Sequence, residues 1–105
     1  MINEIRSAIN LEKVIISRHA KEEAENDDVS LEEIIFSVMN GEIIENYPDD
    51  FPFPSCLILG TNQQQEPIHS VWAYNENTDF AVLITVYRPD FNMWSEWRVR
   101  KNSDN

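Results

Sequence analysis

The spacing of apolar residues changes at Gly41, from the period of a helix to the alternation of strands. Ser30 and Glu33 form the pair of a capping box, which starts a helix. Asn40-Gly41 supplies a left-handed stop. We therefore predict a helix over residues 30–40, with one stripe of apolar residues at the helical spacing: Leu31, Ile34, Ile35, Val38 and Met39.

Short apolar segments separated by turn residues follow Gly41 and predict four strands. The segment 80–87 is apolar on both alternating faces and should be the central strand. Earlier in the chain, residues 3–10 and a segment opened by Ser17 predict helices, and 14–16 is either a brief strand or the entry to the second helix. The predicted fold class is α+β, with two or three N-terminal helices packed on a four-stranded antiparallel sheet at 42–47, 56–61, 68–74 and 80–88.

The chain has 105 residues, which suits one domain over residues 1–101 followed by a disordered tail at 102–105. Hydrophobic residues make up 42% and charged residues 26%, the balance of a folded protein. No stretch is apolar enough for a membrane span and no signal peptide opens the chain, so we expect a cytoplasmic protein. Cys56 stands alone in an apolar run, where a buried structural role is favoured over a reactive one.

A net charge of -11 argues against simple electrostatic binding of nucleic acid. The eight basic residues are confined to the two ends of the chain, and none lies between Lys21 and Arg88. A local basic surface would form if the two ends met in space.

Several common catalytic chemistries lack their residues in this sequence. The two histidines and one cysteine match no zinc spacing, and two glycines cannot build a phosphate-binding loop. A Gly-x-Ser-x-Gly nucleophile elbow is also missing. We therefore expect neither a metal nor an organic cofactor.

The remaining candidates are polar and aromatic residues at the chain ends. His19 has the intrinsic pKa of a general acid or base, although a histidine in a first helical turn more often caps or packs. His69 lies in a strand and is expected to be half-buried. His19, Tyr87 and Arg88 are the candidate catalytic residues. The candidates for binding a phosphodiester or its bases, which would be RNA-binding residues under the resemblance given below, are Arg18, Lys21, Trp94, Arg98, Arg100 and Lys101.

Each of these functional roles has a purely structural alternative. The guanidinium groups of Arg98 and Arg100 lie on one face of a predicted strand and could clamp a phosphate, or they could pair with the abundant carboxylates. Trp94 and Trp97 could stack on bases or close the edge of the core.

A set of short motifs resembles a family of small bacterial domains of unknown function that is similar to the RelE/ParE toxin superfamily, which includes the MqsR and BrnT toxins. The resemblance covers residues 14–101. The motifs that carry it are Ser17-Arg18-His19-Ala20, Val29-Ser30-Leu31-Glu32-Glu33-Ile34, Gly41-Glu42-Ile43-Ile44, Pro67-Ile68-His69-Ser70-Val71 and Ile84-Thr85-Val86-Tyr87-Arg88-Pro89-Asp90, followed by Trp94.

The resemblance implies helices on a curved antiparallel sheet and a toxin–antitoxin system. In this reading the protein is a metal-independent mRNA endoribonuclease, partnered by a cognate antitoxin of a zinc-finger type and acting on mRNA or the ribosome. Such toxins are usually basic, whereas this chain is acidic. Two alternatives follow: a non-catalytic interaction module of the same fold that binds a partner protein, and an acidic protein that imitates nucleic acid. The oligomeric state stays open.

Overall fold

The computed structural model describes residues 1–101, so the predicted disordered tail at 102–105 lies outside the described residues. Three helices precede most of the strands. In chain order the elements are α1 Ile2–Asn10, β1 Val14–Ile16, α2 Arg18–Asn26, α3 Leu31–Asn40, β2 Glu42–Tyr47, β3 Ser55–Thr61, β4 Pro67–Asn75, β5 Phe80–Tyr87, β6 Trp94–Ser95 and β7 Val99–Arg100. Within residues 1–101, no helix has both the length and the apolar character needed to span a membrane.

The main sheet has five strands in the order β1-β5-β4-β3-β2. The meander from β2 to β5 is antiparallel as predicted, but β1 pairs in parallel with β5, Ile15 opposite Val82. The expectation of a four-stranded, purely antiparallel sheet is therefore wrong. The α+β class is confirmed, with three helices and a mixed sheet. A separate two-stranded hairpin, β6 with β7, follows β5.

The helices cover one face of the main sheet and form the core with it. Many strand residues whose side chains point to this face are fully buried, and the largest of these is Trp72. We call the opposite side of the sheet the far face. The register places the following residues on it: Glu42, Glu45, Leu57, Leu59, His69, Val71, Thr85 and Tyr87.

The helix over 30–40 ends without the predicted left-handed residue. Gly41 has an extended backbone, φ -90° and ψ -175°, and no glycine of the described chain has a positive φ. Close packing explains the glycine, because a Cβ there would lie 2.6 Å from the carbonyl oxygen of Ser37. Gly60 of β3 meets the same carbonyl, so Ser37 sits between the two glycines where α3 crosses the sheet.

Gly60→Ala should destabilise the fold strongly. A Cβ at this position would lie 1.7 Å from the Ser37 carbonyl oxygen, so α3 and β3 would have to separate. We expect the free energy of unfolding to fall by about 3 kcal/mol. Urea denaturation followed by circular dichroism measures it, with Gln64→Ala in the exposed turn as the control. A loss in G60A no larger than in the control would contradict the packing described here.

Candidate functional site

The second helix lies along the part of β5 that β1 leaves uncovered. β1 pairs with β5 as far as Leu83, and the Leu83 carbonyl accepts a hydrogen bond from the Ser17 amide at 3.0 Å. The Ser17 hydroxyl donates to the Ile84 carbonyl at 2.9 Å and accepts from the Ala20 amide at 3.0 Å. One serine therefore caps α2 and fixes its start against β5.

His19 is the exposed end of a chain of three side chains that begins on β5. Its Nε2 donates to the Glu23 carboxylate at 2.9 Å, one helical turn along α2. The Thr85 hydroxyl donates to the same Glu23 oxygen from the far face of β5. Because Nε2 carries the proton in this arrangement, Nδ1 is the basic nitrogen of a neutral His19 ring. Glu23 therefore orients His19 in the way that a carboxylate orients a catalytic histidine.

Tyr87 and His69 form a second polar group on the far face, directly opposite each other on β5 and β4. The His69 ring lies 2.7 Å from the Trp97 carbonyl through Nε2 and 3.1 Å from the Tyr87 hydroxyl through Nδ1. A carbonyl can only accept, so Nε2 is the donor, and neutral His69 accepts from Tyr87 at Nδ1. The Trp94 ring packs edge-on against His69 at 4.4 Å between centroids.

Burial changes the proton affinity of both groups. Burial lowers the pKa of His69, and the charge of Arg100 lowers it further. The hydrogen bond to Trp97 and the charge of Glu45 act in the opposite direction. Burial also raises the pKa of Tyr87, and Glu45 and Glu23 add to this while Arg100 opposes it. At neutral pH the pair therefore holds a neutral imidazole and a protonated phenol.

Arg88 holds the turn between α2 and α3 in place. Its backbone amide donates to the Asp27 carboxylate, and its guanidinium donates to the carbonyls of Asp27 and Asp28 at 3.1 and 2.9 Å. The same guanidinium pairs with Glu33 at 3.1 Å. Its Nη1 is buried and has no hydrogen-bond partner among the described residues. The Glu33 carboxylate therefore accepts from Arg88 and not from the Ser30 amide, as a capping box would require. The other half of the capping box is present, because the Ser30 hydroxyl accepts from the Glu33 amide.

The cations of the hairpin also have partners. Arg98 pairs with Glu42, and Arg100 forms a two-pronged contact with Glu45 while lying 4.7 Å above the Trp94 ring. Lys101 lies 4.8 Å above the Phe91 ring.

On α2, by contrast, the predicted RNA-binding cations are open to solvent. The Arg18 side chain is 94% exposed and, within the described part of the chain, its one ion pair is a 4.0 Å contact to Glu22; Lys21 is exposed.

The structure thus brings some of the predicted site residues to the same part of β5. His19 reaches β5 through Glu23 and Thr85, and Tyr87 follows two residues later on the same face. Arg88 is engaged by the α2–α3 turn, and the hairpin arginines by β2. Sequence reasoning missed Glu23, although its spacing of four from His19 was a usable signal. It also expected a half-buried His69, which is fully buried.

Cys56 is buried in the helix-side core. Burial raises the pKa of its thiol to about 11, which disfavours a reactive thiolate at neutral pH. Within residues 1–101, the structure gathers no three His, Cys, Asp or Glu side chains that could hold a metal ion.

The fold and this cluster define a small α+β domain with a histidine–carboxylate pair at the edge of a mixed sheet. Residues 16–88 match the family described as "Domain of unknown function (DUF4258)", and the chain belongs to that family. The match begins at the end of β1 and stops after β5, so it includes α2 and the far face but neither α1 nor the hairpin. No curated protein and no solved structure matches the chain.

The buried neutral His69 should make stability depend on pH. As the pH falls below about 6.5, the unfolded chain binds a proton at this residue that the folded chain, with its lowered pKa, does not. The free energy of unfolding should therefore decrease, by at most about 1.4 kcal/mol per pH unit from this one group. Urea denaturation at about pH 7.5 and about pH 5.5 measures the loss.

His69→Gln removes the titrating group but keeps a donor and an acceptor, and His19→Gln removes a surface imidazole as the matched control. The pH dependence should decrease more in H69Q than in H19Q. Equal pH dependence in the two variants would contradict a neutral, buried His69.

Arg88→Met should destabilise the α2–α3 turn, since two carbonyls and the Glu33 carboxylate lose their guanidinium donor. We expect the free energy of unfolding to fall by about 2 kcal/mol. Arg98→Met is the control, because its single ion pair is half exposed and contributes less than about 1 kcal/mol. Equal losses in R88M and R98M, measured by urea denaturation, would show that Arg88 is not a structural residue.

Proposed function

We propose that this protein is a metal-independent endoribonuclease, a toxin-like member of its family that acts at the edge between α2 and β5. The observation that carries the proposal is the chain His19–Glu23–Thr85, which orients an exposed imidazole at the edge of β5, two residues before the far-face Tyr87 on that strand. Oriented imidazole and phenol groups can carry out acid–base catalysis without a metal. The likeness to RelE/ParE toxins and the partnership with an antitoxin belong to this proposal.

In the proposed reaction His19 is the general base. Its Nδ1 accepts the proton of a ribose 2′-hydroxyl, and the 2′-oxygen attacks the adjacent phosphorus. The bond from phosphorus to the 5′-oxygen breaks, which leaves a 2′,3′-cyclic phosphate and a free 5′-hydroxyl. The leaving oxygen needs a proton. Tyr87 is suited to donate it, because its raised pKa keeps the phenol protonated at neutral pH.

Next to His19, the phosphate would bind to cations that have no strong partner among residues 1–101. Arg18 and Lys21 flank His19 on the exposed surface of α2 and are free to approach a phosphodiester. We assign Arg88 a positioning role, since it ties the end of β5 to the turn that follows α2. Loss of activity in an Arg88 variant would therefore report on the fold as much as on chemistry.

Cleavage of RNA by the purified protein in the presence of EDTA tests the proposal. His19→Gln and Tyr87→Phe should each slow cleavage by a factor of about 10² to 10⁴, the usual effect of removing an acid or base. Glu25→Gln, an exposed carboxylate on the same helix, should retain wild-type activity. Mass spectrometry should find cyclic phosphate ends. Activity that persists in H19Q would exclude the proposed base. Absence of cleavage both in the wild type and in variants whose β6–β7 hairpin is opened would exclude the enzyme.

A second function is favoured by the pairing of the arginines. Arg88, Arg98 and Arg100 all contact carboxylates, and the net charge is -11. These features suit a non-catalytic module that binds a partner protein. Such a module would leave RNA intact but form a stable complex with the protein encoded beside it, which size-exclusion chromatography of the co-expressed pair would detect.

A further inference from the structure

The hairpin after β5 covers His69 of the Tyr87–His69 pair. Trp94 is 4% exposed and packs edge-on against His69, whose ring is completely buried. The Trp97 carbonyl accepts from the same ring. In the described structure, solvent therefore reaches His19 on α2 but not His69.

Few interactions attach this hairpin to the sheet. Its strands, β6 and β7, have two residues each and pair only with one another. Trp94 is its one buried large apolar side chain, while Phe91, Met93 and Val99 are 63%, 61% and 64% exposed. A two-stranded hairpin of this size has little stability of its own.

Its two ion pairs to β2 are half exposed or partly exposed to solvent. Arg98 and Glu42 are 51% and 50% exposed, and Arg100 and Glu45 are 61% and 24% exposed. A groove of about 480 Å³ separates the hairpin tip from the ends of α3, β3 and β4. Exposed ion pairs are screened by salt and contribute little. The attachment can therefore be broken locally.

The tip of the hairpin is also strained. Glu96 and Trp97 have φ of 52° and 64°, and the Arg98 amide donates to the Ser95 carbonyl at 3.0 Å. Two successive positive φ angles are typical of type I′ turns, in which Asn and Gly are strongly preferred. Glu and Trp occupy these positions at a cost in backbone energy, yet the turn supplies the Trp97 carbonyl that His69 contacts. The family match ends at Arg88, so the whole hairpin lies outside the matched domain.

We propose that residues 90–101 form a displaceable cap over the Tyr87–His69 pair, and that its opening controls access of RNA to the far face beside His19. The control of RNA access rests on the proposed ribonuclease function, whereas the opening itself does not. In the closed state the Tyr87 hydroxyl is bound to His69, whose ring is buried under the hairpin. Lifting the hairpin removes Trp94 and the Trp97 carbonyl from His69, so that the ring can turn and release the Tyr87 hydroxyl to substrate.

Charge reversal on either side of the interface should open the cap. Arg98→Glu with Arg100→Glu places carboxylates against carboxylates, and Glu42→Arg with Glu45→Arg places arginines against arginines. The four changes together restore both pairs with reversed polarity. Each ion pair shifts an equilibrium by a factor of up to about 5, so either double reversal should raise the open fraction about tenfold or more.

Modification of histidine by diethyl pyrocarbonate measures opening in the full chain. His69 should react far more slowly than His19 in the wild type, and about ten times faster than in the wild type in both double variants. The fourfold variant should return to the wild-type rate. Hydrogen exchange should increase in residues 90–101 while the amides of β3 and β4 stay protected. Should the variants fail to fold, raising the salt from about 0.1 M to about 1 M should accelerate modification of wild-type His69 alone.

Two results would overturn the cap. The first is a His69 rate unchanged by both charge reversal and salt. The second is exchange in β4 that rises together with exchange in the hairpin, which would mean that His69 is reached only by global unfolding.

RNA cleavage then tests control of the site. The two double variants change net charge in opposite directions, so a rise in cleavage common to both is due to opening and not to charge. A cleavage rate that is the same in the wild type and in both double variants would overturn the regulatory role of the cap. Cleavage that is absent from every variant while His69 responds as expected would overturn the ribonuclease function and leave the displaceable cap standing.

Discussion

The parallel pairing of β1 with β5 determines where the candidate chemistry lies. Because β1 has only three residues, it covers β5 as far as Leu83 and then ends at Ser17. The Ser17 hydroxyl bonds to both α2 and β5, so the helix must continue along the rest of the β5 edge. His19 and Glu23 on α2 therefore come beside Thr85. A longer β1 would occupy this edge and keep the helix away from it.

Local patterns in the sequence were sufficient for the helices and for the antiparallel order of β2 to β5. The apolar stripe of α3 and the turns between β2 and β5 are short-range signals, and both were interpreted correctly. The position of β1 was not predictable in the same way. A run of three apolar residues suits a strand or a helix entry, and its partner lies 67 residues further on. Gly41 was correctly placed at the helix end, but it is required for close packing against Ser37 and not for a left-handed turn.

The candidate site was predictable in its residue types but not in its contacts. His19 and Tyr87 stood out because few other groups could carry proton transfer. The sequence could not say which carboxylate each arginine would meet, since nineteen acidic residues compete for eight basic ones. Arg88 pairs with Glu33 and Arg100 with Glu45, both at separations of 55 residues. Such pairs depend on the register of the sheet and on the turn after α2, which no local pattern encodes.

Pairing of the arginines connects the acidic composition to the proposed cap. Glu42 and Glu45 lie on β2 beneath the hairpin and neutralise Arg98 and Arg100 in the closed state. A phosphodiester carries the same charge as a carboxylate and can replace it as an arginine partner. RNA that binds both hairpin arginines would favour the open cap, because a ligand shifts a conformational equilibrium toward the state that it binds more tightly. In the proposed mechanism, then, an acidic protein keeps its cations paired until a polyanion competes for them, and salt affects both opening and RNA binding through the same charges.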